Sequence, residues 1–181
     1  MTVAADKRQL KLSKHGRRRL RRRGNTTGGR DKEFLQRVVK YGLTSEYLDE
    51  GPLRDFVLER EQACPFRVVL LYAQHVYVFD RALTTLVTVM CLPRECIRFG
   101  DRLTSVNRWR VDALGLIAAE DKRLSAKPLL TDLELGRLNE LYALAGELVP
   151  STEFFREWTK FKDHSVAYWA TVDSLHELFN Q

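Results

Sequence analysis

Three short runs rich in β-branched and aromatic residues decide what this chain can fold into. Arg67 to Tyr72 (RVVLLY), His75 to Phe79 (HVYVF) and Thr84 to Leu92 (TTLVTVMCL) follow one another closely, separated by Ala73-Gln74 and by Asp80-Arg81-Ala82. Pro93 stops the third run. Such residues suit a pleated surface, and connections this tight predict an antiparallel meander. In the second run Val76 and Val78 face one way, while His75, Tyr77 and Phe79 face the other.

Helical periodicity flanks the meander on both sides. Asp31 to Tyr41 spaces Phe34, Leu35, Val38 and Val39 as one apolar face and is closed by Gly42. Thr44 to Glu50 predicts a further turn of helix, and Pro52 to Gln62 opens with proline near its first turn. From Ser105 onward the chain reads as all helix. Val106 to Arg123 carries Trp109, Ala113, Leu116 and Ile117, and Thr131 to Val149 opens on a capping box, Thr131-x-x-Glu134. Ser151 and Thr152 cap Phe154 to Lys162, and Asp163 or Ser165 caps Val166 to Phe179. The expected class is α+β: a short antiparallel meander packed with N-terminal helices, then an all-helical C-terminal part. It divides into a basic arm and arginine-rich helix over 1–30, an α+β core over 31–93 and a helical region over 94–181. The boundary between the last two is expected within 94–104.

Charge is distributed unevenly. The net charge of the chain is +6, yet residues 1–30 hold eleven Lys and Arg against one acid, Asp6, a local net of +10. The other 151 residues hold 19 basic and 23 acidic side chains, a net of −4. Basicity gathered into one segment is the footprint of a polyanionic partner, whereas a solvated surface alternates sign. Leu12 to Gly24 (LSKHGRRRLRRRG) predicts a short helix with Ser13 as its cap and Gly24 as its end. The segment has few apolar anchors, Leu10, Leu12 and Leu20, so it docks by a narrow stripe or folds on binding. Arg matches phosphate oxygens in bidentate fashion and stacks on bases, which favours a nucleic acid over a membrane surface. Lys11, Lys14, Arg17, Arg18, Arg21, Arg22, Arg30 and Arg81 are the candidate phosphate contacts, and RNA is the expected partner.

Other classes of function find less support. No run approaches the roughly 20 apolar residues needed to span a bilayer, and the basic N-terminus lacks the apolar core of a secretory signal. The expected location is the cytoplasm, with no membrane partner. Cys64, Cys91 and Cys96 include no CxxC, and the histidines are scattered, so no metal site and no cofactor are expected. Trp109, Trp158 and Trp169 read as core or interface anchors rather than stacking groups.

Two segments together resemble a known pattern. Lys14-His15-Gly16-Arg17-Arg18-Arg19-Leu20-Arg21-Arg22-Arg23 resembles the "KHAxxRxxxR" helix of small bacterial and phage proteins related to the BrnT toxins. The strands "VYVFD" and "LVTVMCLP" resemble the "vyIF…LITV.LP" strands of that group. The resemblance spans about residues 12 to 93. It implies the compact α+β fold of RelE-like toxins, in which a sheet and basic residues hold RNA for metal-independent cleavage. There are departures: Gly16 stands where that group has Ala, Arg22 replaces an acid, and the C-terminal helical half has no counterpart.

On that resemblance His15, Arg19 and Arg23, at i, i+4 and i+8, form the catalytic face of the helix, with Tyr77 or His75 from the second strand as the other proton-transfer group. Metal-free RNA hydrolysis needs a base for the 2′-OH, an acid for the leaving oxygen and cations for the phosphorane charge. His15 suits the proton transfers and Arg19 and Arg23 the charge. A different reading stays open beside it. A non-catalytic adaptor or inhibitor would dock its arginine helix into a ribonucleoprotein, such as a ribosome or a CRISPR effector, while the C-terminal helices contact protein.

Overall fold

The computed structural model describes residues 10–23 and 30–160. The expected N-terminal arm, the Asn25–Gly29 loop, the helix over 166–179, Trp169, His164 and His176 lie outside the described residues. The chain divides into two compact units, Met1–Asn107 and Arg108–Gln181.

The first unit carries the sheet. Its elements are β1 (Lys11–Leu12), α1 (Lys14–Arg23), α2 (Asp31–Tyr41), α3 (Pro52–Ala63), β2 (Arg67–Tyr72), β3 (His75–Asp80) and β4 (Thr85–Cys91). A 3-10 turn, Ser45–Tyr47, stands where a turn of α-helix was expected. The strand order is β1-β4-β3-β2. The meander β2-β3-β4 is antiparallel as its short connections require, with Leu70 opposite Tyr77 and Tyr77 opposite Val89. β1, which the sequence does not announce, adds to β4 in parallel, with Lys11 opposite Thr85 and Leu12 opposite Leu86. The α+β class is therefore as expected, with a four-stranded mixed sheet in place of three strands.

Both faces of the sheet are covered. On one, Leu20 of α1 and Leu35 and Val38 of α2 form a core with Leu70, Tyr77, Phe79, Leu86 and Val89. The side chains pointing the other way, Val69, Leu71, Val76 and Val78, are equally buried, and α3 packs on β2. Burying large aliphatic and aromatic groups at about 1.5–3 kcal/mol each is what offsets the entropy of ordering so short a sheet.

Both hairpin connections need a left-handed residue, which costs energy unless the surroundings hold it. Ala73 takes φ 52°, and its N–H donates to the buried Thr104 hydroxyl at 2.6 Å. Leu83 takes φ 54°, next to Asp80, whose carboxylate accepts from the Thr84 N–H at 2.7 Å, the Thr84 hydroxyl at 2.6 Å and the Thr85 N–H at 2.9 Å. Desolvation works to raise the Asp80 pKa, but the bonds from Thr84 and Thr85 outweigh it and hold the carboxyl below its usual 3.8. A folded pKa below the unfolded one contributes stability that is present above the unfolded value and is lost as pH falls through the folded one. Asp80→Ala is expected to cost about 1–2 kcal/mol near neutral pH. In urea titrations at several pH values, the gap from wild type should narrow only below the ordinary aspartate range.

The helix α4, Ile97–Ser125, follows a 3-10 turn at Arg94–Cys96. Residues 94–104, expected to hold a boundary, are thus largely helical, and the two compact units instead meet inside α4, between Asn107 and Arg108. Gly100 lets the start of α4 lie against the β2–β3 turn, because a Cβ there would meet Ala73 O at 2.5 Å.

The second unit holds the rest of α4 with α5 (Asp132–Glu147) and α6 (Thr152–Lys160). The capping box at Thr131 and Glu134 forms in both directions. Trp109 and Trp158 stack at 4.5 Å between ring centroids, as anchors rather than exposed platforms. Glu120 accepts both Arg123 Nε and a terminal nitrogen at 2.7 Å and pairs with Arg137 Nε at 3.2 Å. No helix among the described residues is long and apolar enough to cross a membrane.

Candidate nucleic-acid interface

The chain runs along the open edge of β4 and seals it link by link. The Lys11 N–H donates to Thr84 O at 2.6 Å and the Ser13 N–H to Leu86 O at 3.3 Å. Ser13 then turns the chain into α1, its hydroxyl accepting the Gly16 N–H at 2.9 Å, which is the cap its position predicts. Beyond that point no backbone hydrogen bond joins α1 to the strand among the described residues, and arginine side chains take over. Arg19 donates to the Thr88 hydroxyl at 2.9 Å, and Arg23 to Val89 O at 2.9 Å.

Gly16 and Leu20, one helical turn apart, are the buried residues of α1. At Gly16 a Cβ would sit 2.9 Å from Ser13 Oγ and closer still to Leu86 O, inside any contact that real Cβ atoms make. The glycine is therefore what lets the helix backbone lie directly on β4. At 3.6 residues per turn, Gly16, Leu20 and Arg23 fall within an arc of roughly 60°, with Arg19 at its margin.

The opposite face then follows from geometry. Lys14, Arg17, Arg18, Arg21 and Arg22, at i, i+3, i+4, i+7 and i+8, share one side of the helix. They fan over an arc of roughly 140° centred away from the buried seam and extend about 12 Å along the axis. All five are exposed. Among the described residues none of them makes an ion pair or a hydrogen bond through its side chain. With Leu12 they line an open groove of about 520 Å³. Lys11 and Arg81 are exposed near the start of β4, since Lys11 pairs with Thr85 and Arg81 lies in the turn just before it. Arg30 is exposed immediately before α2.

Of the residues expected to form a catalytic face, His15, Arg19 and Arg23 follow one side of α1, but they differ in exposure and partners, and Tyr77 is set apart from them. His15 is exposed on the flank of α1, between the fan and the seam. Arg19 and Arg23 are engaged with β4 as described. Tyr77 is 1 % exposed and lies in ring contact with Phe34, Tyr72 and His75. Burial pushes its hydroxyl far above the ordinary tyrosine value. Its placement leaves it unsuited to the expected proton transfer, because the face it shares with His75 and Phe79 packs against α2. His75 is half-buried where α1 ends. Burial lowers its pKa, against the pull of its hydrogen bond to the Arg23 backbone.

Among the described residues no three of His, Cys, Asp or Glu gather into a metal-ligating group. Cys64, Cys91 and Cys96 are free thiols, of which Cys91 is exposed. Compared with known proteins, the chain matches no family model, no curated protein and no solved structure.

Proposed function

We infer that this chain binds RNA through the outward face of α1. The observation that carries the reading is the division of labour on that helix. Arg19 and Arg23 hold it against β4, which turns five cations outward with no carboxylate partner among the described residues. Five like charges on three turns repel one another, and nothing in the fold of α1 on β4 uses them. A polyphosphate backbone relieves that repulsion and releases its own counterions.

Binding has more support than the toxin-like ribonuclease reading. Cleavage needs two proton-transfer groups and free cations around one phosphate, whereas His15 stands near the start of α1 and His75 where it ends, Arg19 and Arg23 are engaged and Tyr77 is in the core. The adaptor reading has an observation of its own in the second unit, where Leu129 and Leu133 are 85 % and 84 % exposed. Apolar groups so bare suit a protein contact when they cluster.

The test is to incubate the intact chain with a labelled structured RNA in EDTA over a series of salt concentrations, following binding and integrity together. Expected is intact RNA, bound with an affinity that falls steeply as salt rises. Absence of salt-dependent binding overturns the reading, and cleavage that disappears in His15→Ala would restore the catalytic one.

A further inference from the structure

We propose that the α1 face takes RNA in double-helical form, holding the phosphates of both strands, in preference to single strands. The inference rests on the RNA-binding reading above and specifies its substrate. Three features of the face support it.

The first is the divergence of the cations. Arg17 and Arg21 form one i, i+4 ridge and Arg18 and Arg22 another, with Lys14 between them at the N-terminal end. The two ridges point roughly 100° apart around the helix axis. A single phosphate strand that follows one ridge leaves the other turned toward water. Two strands flanking a groove engage both at once, and the minor groove of A-form RNA is wide and shallow enough to receive a surface helix.

The second feature concerns bases. Proteins that capture unpaired bases stack them on exposed aromatic rings beside the cationic track. The fan contains no phenylalanine, tyrosine or tryptophan, and the one ring bordering it is the exposed His15, so base stacking there is left to that imidazole and to the guanidinium planes. In the sheet Tyr77 is buried, and Tyr72 is half-buried in an edge-to-face contact with the half-buried Phe34 of α2 at 5.9 Å. Phe66 and Phe99, the exposed phenylalanines of the first unit among the described residues, lie on other elements. Phe66 precedes β2, the strand at the far side of the sheet from α1.

The third feature is rigidity. Ser13, Gly16, Arg19 and Arg23 hold the α1 backbone against β4, so the points from which its charged side chains spring form a fixed array. A fixed array complements a partner with fixed phosphate spacing, and a flexible strand would have to be ordered to match it.

The experiment is a competition on the intact chain at one fixed salt concentration. A labelled RNA hairpin is displaced by a blunt 20-base-pair RNA duplex (about two helical turns), by oligouridine of equal length, or by a DNA duplex of the same sequence. The RNA duplex is expected to compete at least ~10-fold better than oligouridine, and better than the DNA duplex. Replacing either ridge alone, as Arg17→Gln/Arg21→Gln or Arg18→Gln/Arg22→Gln, should remove most of that preference. Each pair should lower the salt slope by about 1.4–1.8. Equal or stronger competition by oligouridine, or stronger competition by DNA, overturns the double-helical RNA proposal while leaving nucleic-acid binding intact. Failure to bind the hairpin at all overturns both.

Discussion

The variant Arg17→Gln/Arg18→Gln/Arg21→Gln/Arg22→Gln is expected to bind RNA at least about 100-fold more weakly than wild type near 0.1 M salt, with its thermal midpoint unchanged or slightly raised. Each lost phosphate contact removes roughly 0.7–0.9 from the slope of log affinity against log salt, so four together flatten the dependence. None of the four side chains bonds to another described group, and neutralising them relieves like-charge repulsion on α1. The complementary variant, Arg19→Gln/Arg23→Gln, should behave in the opposite way. Losing the bonds to Thr88 and Val89 removes about 1–2 kcal/mol of stability and changes the affinity of the folded fraction little. Thermal melts and RNA titrations on both variants decide the matter. A clip variant that melts like wild type yet has lost RNA would put Arg19 and Arg23 back in the binding site.

Gly16→Ala should be among the most damaging single-methyl additions in the first unit. Within a helix, glycine to alanine ordinarily gains about 1 kcal/mol. Here the added methyl drives into the Leu86 carbonyl, an atom of a strand packed on both faces. Relief requires α1 to lift from β4, loosening Leu20 in the core and stretching the Arg19 and Arg23 bonds. Overpacking of this kind costs about 1–3 kcal/mol. The net expectation is a loss of about 1 kcal/mol and a thermal midpoint lower by roughly 5 °C. Gly115 supplies the control, because it is exposed within α4 and a Cβ there meets nothing within 4 Å. Gly115→Ala should raise stability by about 0.5–1 kcal/mol. If both substitutions shift the midpoint in the same direction, the packing account of α1 is wrong.

The parts of this molecule that were legible in its sequence are those where side-chain pattern and burial coincide. The meander could be read because β-branched and aromatic residues fill both faces of β2 and β3. Ser13 could be read as a cap, and the Thr131–Glu134 box as a helix start, because capping depends on local hydrogen bonds alone. The orientation of α1 could not be read from hydrophobic periodicity, since Leu20 is the lone leucine among its ten residues. Spacing singled out His15, Arg19 and Arg23 as one face, and they are nearly one. Nothing in their spacing says that this face turns toward a strand edge. The available signal was Gly16: a glycine inside a helical run, one turn before its leucine, marks a close backbone approach. β1 escaped notice because a two-residue pairing leaves no periodicity. The fan opposite Gly16 and Leu20 follows at once when those two residues are taken as the seam.

The way α1 lies along β4 also bears on how this chain avoids sticking to itself. A bare edge strand with the composition of β4 offers unpaired carbonyls and amides to any other extended chain, which is a route to ordered aggregates. In this molecule a partner's helix does not guard that edge. The arginine-bearing helix of the same chain does, so conditions that release α1 would uncover an aggregation-prone strand together with a polycation. A polyanion that grips the helix from outside leaves the guard in place, and one that peels it away removes it. Substitutions at Gly16, Arg19 or Arg23 should therefore show up in cells first as insoluble protein and only afterwards as lost binding.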